Sequence, residues 1–85
     1  MNYIISTDRC GWSVSEKDIE EIKWHGTDVS KTAFLKTNDG SHIYLIMYEG
    51  EGFFMLQADG HKVTSIAKAA TDLIDVSRWK DLLGA

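Results

Sequence analysis

Between Thr32 and Ala58 three short apolar runs are separated by two turn-forming stretches, Asn38-Asp39-Gly40 and Glu49-Gly50-Glu51-Gly52. That pattern predicts a three-stranded antiparallel meander. Hairpin loops set strand register, and a slip of one residue turns every side chain to the opposite face. A two-residue Asp39-Gly40 turn would place Ile43 opposite Lys36 and bury a lysine among aliphatics. A three-residue Asn38-Asp39-Gly40 loop, with Gly40 left-handed, instead sets Ile43 opposite Leu35 and Leu45 opposite Ala33, and this is the register expected.

In the second hairpin a Gly50-Glu51 turn pairs Met47 with Phe54, Leu45 with Leu56 and Ile43 with Ala58. The two registers agree on the faces. One carries Ala33, Leu35, Ile43, Leu45, Met47, Phe54, Leu56 and Ala58 and is the expected core. The other carries Phe34, Tyr44, Ile46, Tyr48, Phe53 and Met55 among Thr32, Lys36, His42 and Gln57.

Outside the meander, Tyr3-Ile4-Ile5 predicts a short first strand at the meander's edge, followed by a loop from Ser6 to Trp12. Ser15 is a good N-cap with Asp18 three residues on, so a helix is expected from Glu16 to Trp24, stopped by Gly26. Its apolar stripe is thin, resting on Ile19 and Ile22. After Asp59-Gly60, His61 to Thr64 can pair briefly as a fourth strand of the meander. Ile66, Ala69, Ala70, Leu73 and Ile74 then recur at helical spacing, and Ser77 reads as the N-cap of a terminal helix carrying Trp79, Leu82 and Leu83.

The expected fold is therefore α+β: an antiparallel meander of three to five strands with C-terminal helices packed on one face, in the order β-α-β-β-β-(β)-α-α. Those helices carry enough apolar surface for one side of the sheet. The aromatic side is left with only the thin first helix and Trp12 to cover it, and it exceeds the roughly 400 Å² at which an exposed patch marks an interaction site.

Composition narrows the function classes. Eighty-five residues, 44% hydrophobic and 26% charged, suit one folded domain that buries about 60% of its unfolded surface. The net charge of −4 is spread along the chain, which argues against direct binding to nucleic acid. The aromatic face could also stack single-stranded RNA, but Lys36 is the one basic residue on those strands and no ribonucleoprotein motif is present. A single cysteine, a polar amino terminus and no apolar run near the 18 or so residues of a membrane span predict a cytoplasmic protein without a membrane association.

Candidate chemistry is sparse. Cys10, beside Arg9, would need a nearby histidine to act as a nucleophile, and a loop cysteine is the plainer reading. Cys10, His25, His42 and His61 lack metal-ligand spacing, so no metal or cofactor is expected. The glycines at 50 and 52 flank glutamates and are turn residues, and Ser41 and His42 point to opposite faces of one strand. Glu16, Glu20 and Glu21 on the first helix, with Asp72, Asp75 and Asp81, offer an acidic contact for a basic partner such as a nucleic-acid-binding complex; interleaved lysines and Arg78 favour a solvated face instead.

The leading expectation is a non-enzymatic protein-binding module, of the kind phages and other mobile elements use as small inhibitors. Its contact residues would be Phe34, Tyr44, Ile46, Tyr48, Phe53 and Met55. Two alternatives are a small enzyme or enzyme subunit whose site, built on Cys10 or a histidine, is completed by dimerisation, and a structural homodimer that pairs the aromatic faces.

Overall fold

The computed structural model describes residues 1–68 and 71–84. Antiparallel strands dominate it: β1 (Asn2–Thr7), β2 (Gly11–Ser15), β3 (His25–Gly26), β4 (Ser30–Lys36), β5 (His42–Gly50), β6 (Phe53–Ala58), β7 (His61–Lys68) and β8 (Asp72–Ile74). Among the described residues helix is limited to α1 (Glu16–Glu20) and α2 (Val76–Leu82). The strands run in the order β2-β1-β7-β6-β5-β4-β3, with β8 also paired to β7. The fold is therefore richer in sheet than the expected meander with helical cover.

Strand β7 joins two halves of the sheet. His61 and Lys62 pair with β6, whereas Val63 to Lys68 pair with β1. Ser6 faces Ser65 and Thr7 faces Val63, so Thr64 is the extra residue of a bulge. An inserted residue shifts the inside–outside alternation by one. Val63 and Ile66, of opposite parity, consequently both point inward, at 1% and 0% exposure. The strand can then serve both halves, which enclose one core: Ile5 and Val14 from the first half meet Leu35, Leu45 and Met47 from the second.

This arrangement corrects the expectation that helices cover the apolar side of the meander. Ile66 lies in β7, and Leu73 and Ile74 lie in β8, paired so that Ile66 faces Ile74 and Ala67 faces Leu73. A strand returning on itself reproduces the i, i+8 spacing of a helix face here. Ala69 and Ala70, part of the same expected helix, fall outside the described residues. Nor is Tyr3-Ile4-Ile5 an edge of the meander, because β1 sits between β2 and β7. The expected loop from Ser6 to Trp12 is a tight hairpin, in which the Thr7 amide donates to the Cys10 carbonyl at 2.8 Å.

The meander itself forms with the first register as expected, Leu35 facing Ile43 and Ala33 facing Leu45, and Gly40 is left-handed at φ +88°. The second hairpin differs by two residues: Met47 faces Leu56, Leu45 faces Ala58, and Gly50 faces Phe53. Its turn is Glu51-Gly52, because the left-handed φ of +64° falls on the second turn residue, where glycine adopts it freely and glutamate would not. A shift of two leaves each side chain on its expected face.

Both helices are short, and each sends one buried side chain, Ile19 or Trp79, into the core. Ser15 caps α1 as expected, accepting from the Asp18 amide at 3.2 Å and donating to the Asp18 carboxylate at 2.8 Å. The helix ends at Glu20 rather than Trp24. Five residues cannot support a helix alone, and this one is held by the buried Ile19. Gly26, expected to stop it, lies in β3. The N-cap of α2 is Asp75 rather than Ser77, and Trp79 and Leu83 are buried beneath it. The Trp79 indole donates to the Ile74 carbonyl at 2.9 Å, the Trp24 indole donates to the Leu83 carbonyl at 2.7 Å, and Lys80 pairs with Glu49 at 2.7 Å.

Candidate functional site

Along β5 the odd residues Ile43, Leu45 and Met47 are buried, so the even residues Tyr44, Ile46 and Tyr48 lie on the opposite face. Register brings their neighbours to that same face. Phe34 stands beside Tyr44, Gln57 beside Ile46, Met55 beside Tyr48, and Phe53 beside Gly50. The six side chains expected to meet a partner thus share one surface. It extends about 20 Å along β5, taking about 3.4 Å per residue from Tyr44 to Gly50.

Exposure on this face is uneven. Phe34 is 71% and Phe53 54% exposed, while Tyr44, Ile46, Tyr48 and Met55 are half-buried. The Phe34 and Tyr44 rings pack with centroids 5.1 Å apart and planes tilted by 50°, a favourable aromatic geometry. Taking roughly 200 Å² for a free phenylalanine side chain, the two phenylalanines leave about 250 Å² open between them. The partly open neighbours bring the patch into the range of about 300–600 Å² that is the largest found on most monomers.

The chain's own candidates for covering this surface are engaged elsewhere. Ile19 belongs to the core, and Trp12, Ile22 and Trp24 pack against it from the other side of the meander. Lys36, His42 and Thr32 rim the face through the same register, giving an apolar centre with a polar border.

The other expected residues lie apart from it. Glu16 is half-buried, and Glu20 and Glu21 are exposed, in or next to α1. That helix lies against β2 and β4 on the core side. Asp72 is on β8, Asp75 occupies the N-cap position of α2 without a side-chain capping bond and Asp81 lies within that helix, so the acids are divided among separate elements. Cys10 is exposed in the β1–β2 turn, whereas His25, His42 and His61 belong to β3, β5 and β7. Among the described residues no three His, Cys, Asp or Glu side chains are placed to hold a metal ion.

One feature escaped the sequence reading. The Thr37–Ser41 hairpin leans on β2, and a cleft of about 360 Å³ opens between them, lined by Gly11, Trp12, Ser13, Thr37, Asn38 and Asp39. The available signal was the alternation Trp12-Ser13-Val14-Ser15, which marks a half-buried strand against which a hairpin can lie. Thr37 is buried at 3% exposure, with its hydroxyl bonded to the Asp39 carboxylate and 3.1 Å from the Ser41 carbonyl. The Ser41 amide donates to the same Asp39 oxygen at 3.0 Å. The Thr37 bond first, and the Ser41 amide second, hold the Asp39 carboxyl below its usual value.

The chain matches no protein-family model, no curated protein and no solved structure.

Proposed function

We propose that the protein is a non-enzymatic binding module of the cytoplasm, a small acidic inhibitor that occludes a partner protein with the outer face of β4, β5 and β6. The observation that carries this reading is the pair of phenylalanines at 71% and 54% exposure on one continuous sheet face. Each costs solubility where it stands, and nothing in the fold requires it there, since the core is complete without them. A standard interface takes about 800 Å² from each partner. The aromatic patch would supply the centre of such a contact and its polar border the rim.

The test is capture from cells of the source organism with tagged wild type and with the double variant Phe34→Ser, Phe53→Ser. Both positions are surface sites away from the core, so the variant should melt within a few degrees of wild type. A protein retained in stoichiometric amount by wild type and lost from the variant supports the reading. Identical recovery by both removes the face from consideration. A wild-type dimer in sedimentation equilibrium that the variant converts to monomer makes the second copy the partner.

A further inference from the structure

Basic side chains collect on the outer sheet face although the chain as a whole is acidic. Register extends that face by one strand on either side, because His25 of β3 stands beside Thr32 and Lys62 of β7 beside Gln57. Across β3 to β7 the outward positions hold Lys36, Lys62, His25 and His42, all exposed, and among the described residues no aspartate or glutamate. Glu49, the acid of β5, has the parity of the core and is paired with Lys80. That is the one ion pair among the described residues, so neither Lys36 nor Lys62 is engaged in one. A chain of net charge −4 thus sets two free ammonium groups around its most exposed aromatic rings.

The two lysines stand at opposite corners of a field that contains the Phe34–Tyr44 ring pair. Lys36 is level with His42, and Lys62 is level with Gln57 and Ile46, so they are separated from β4 to β7 across the sheet and from His42 to Ile46 along β5. At about 4.8 Å per strand and 3.4 Å per residue their Cα atoms lie about 20 Å apart, the span of about six extended residues. Carboxylates border the field in the turns: Asp39 beyond Lys36, Glu51 beside Phe53, and Asp59, whose Oδ1 accepts from the Tyr44 amide at 2.9 Å. A polyanion charged at every step, such as a nucleic-acid strand, would run from the lysines into these acids. A protein segment carries its charges singly and can meet the lysines without crossing the turns. We propose that the outer face takes an apolar segment of a partner protein flanked by carboxylates, its apolar side chains covering Phe34 and Tyr44 and its carboxylates pairing with Lys36 and Lys62. This rests on the face being a protein-binding surface, as proposed above, and names the chemistry of what it binds. The rings supply the attraction, and the lysines select the partner and its orientation.

The probe is a peptide of alternating leucine and serine, about six residues long, with glutamates at both ends, titrated into the full chain and followed by amide NMR. Saturable shifts should centre on residues 34–36, 42–48 and 55–62. The same peptide ending in lysines should bind about tenfold more weakly, and added salt should narrow the difference. The double variant Lys36→Glu, Lys62→Glu changes two exposed positions and should reverse the preference, a gain of binding for the lysine-ended peptide that no loss of folding can imitate. Equal binding of the two peptides to wild type, or a preference that survives the double reversal, would overturn the charge assignment while leaving the aromatic face as a binding surface. No saturable shift with either peptide would overturn the proposal as well, whereas the broader reading is decided by the capture experiment with Phe34→Ser, Phe53→Ser. Tighter binding of an oligothymidylate or of phosphatidylserine vesicles than of the glutamate-ended peptide would assign the lysines to phosphates and likewise overturn it.

Discussion

Replacing Ile66 and Leu73 separately by alanine tests the fold where strand and helix readings differ most. On one helix these residues, seven apart, would share a buried face and cost similar amounts. In the structure Ile66 is 0% exposed between Ile5 and Ile74, whereas Leu73 is 76% exposed on the short outer strand β8. Ile66→Ala deletes three buried carbons at about 0.8 kcal/mol each. The cavity left in a core enclosed from both sides raises the total to about 3–4 kcal/mol. Leu73→Ala should cost no more than about 0.5 kcal/mol. Urea unfolding followed by far-ultraviolet circular dichroism reads both. With a slope of about 1 kcal/mol per molar for so small a domain, the Ile66 variant should lose roughly 3 M in midpoint and the Leu73 variant less than about 0.5 M. If Ile66→Ala leaves too little native state to measure, Ile66→Val should still cost about 1 kcal/mol. Comparable losses from Ile66→Ala and Leu73→Ala would refute the strand assignment and restore a one-faced helix.

Two further predictions concern local structure. Gly26 and Gly52 are both left-handed, at φ +136° and +64°, but an added Cβ at Gly26 would lie 2.3 Å from the Ser30 carbonyl oxygen, while Gly52 has open space. Gly52→Ala should therefore cost about 1–2 kcal/mol from backbone conformation alone, and Gly26→Ala more, with loss of amide protection at the β3–β4 pair as the distinguishing sign. Asp39 is expected to shape the acid limb of stability. Its carboxyl titrates below the usual 3.8 in the folded chain, so as pH falls the unfolded chain takes up the proton first. Its contribution is complete above the unfolded value and disappears as pH drops through the folded one. Between about pH 5 and 2, wild type should lose stability more steeply than Asp39→Asn in matched thermal melts.

The parts of the fold legible in the sequence were those settled by local chemistry. Gly40 sits left-handed without the cost that Asn38 or Asp39 would carry there, and burying Lys36 excluded the competing register, so the β4–β5 pairing followed. Ser15 with Asp18 announced the start of α1 because a cap bond needs only neighbours along the chain. The β5–β6 turn was displaced by two because the Glu49–Gly52 stretch offers two glycines, and alternation cannot distinguish registers that differ by an even number. The region from Ile66 to Ile74 was misread for a deeper reason. Short apolar runs have no unambiguous period, and the determinant here is non-local: a bulge at Thr64 and pairing of β7 with β1, about sixty residues earlier in the chain. The aromatic face followed from parity along β5, while the Trp12–Asp39 cleft required knowing that a hairpin leans on β2.

Hydroxyl-radical footprinting of the free protein and of its captured complex tests the outer sheet face most directly. In the free protein Phe34 and Phe53 should be oxidised readily for phenylalanines, in keeping with their 71% and 54% exposure. In the complex both should be protected together with Tyr44 and Tyr48, while Leu73, on β8, remains reactive. Unchanged oxidation of Phe34 and Phe53 on complex formation would contradict the assignment of this face as the working surface.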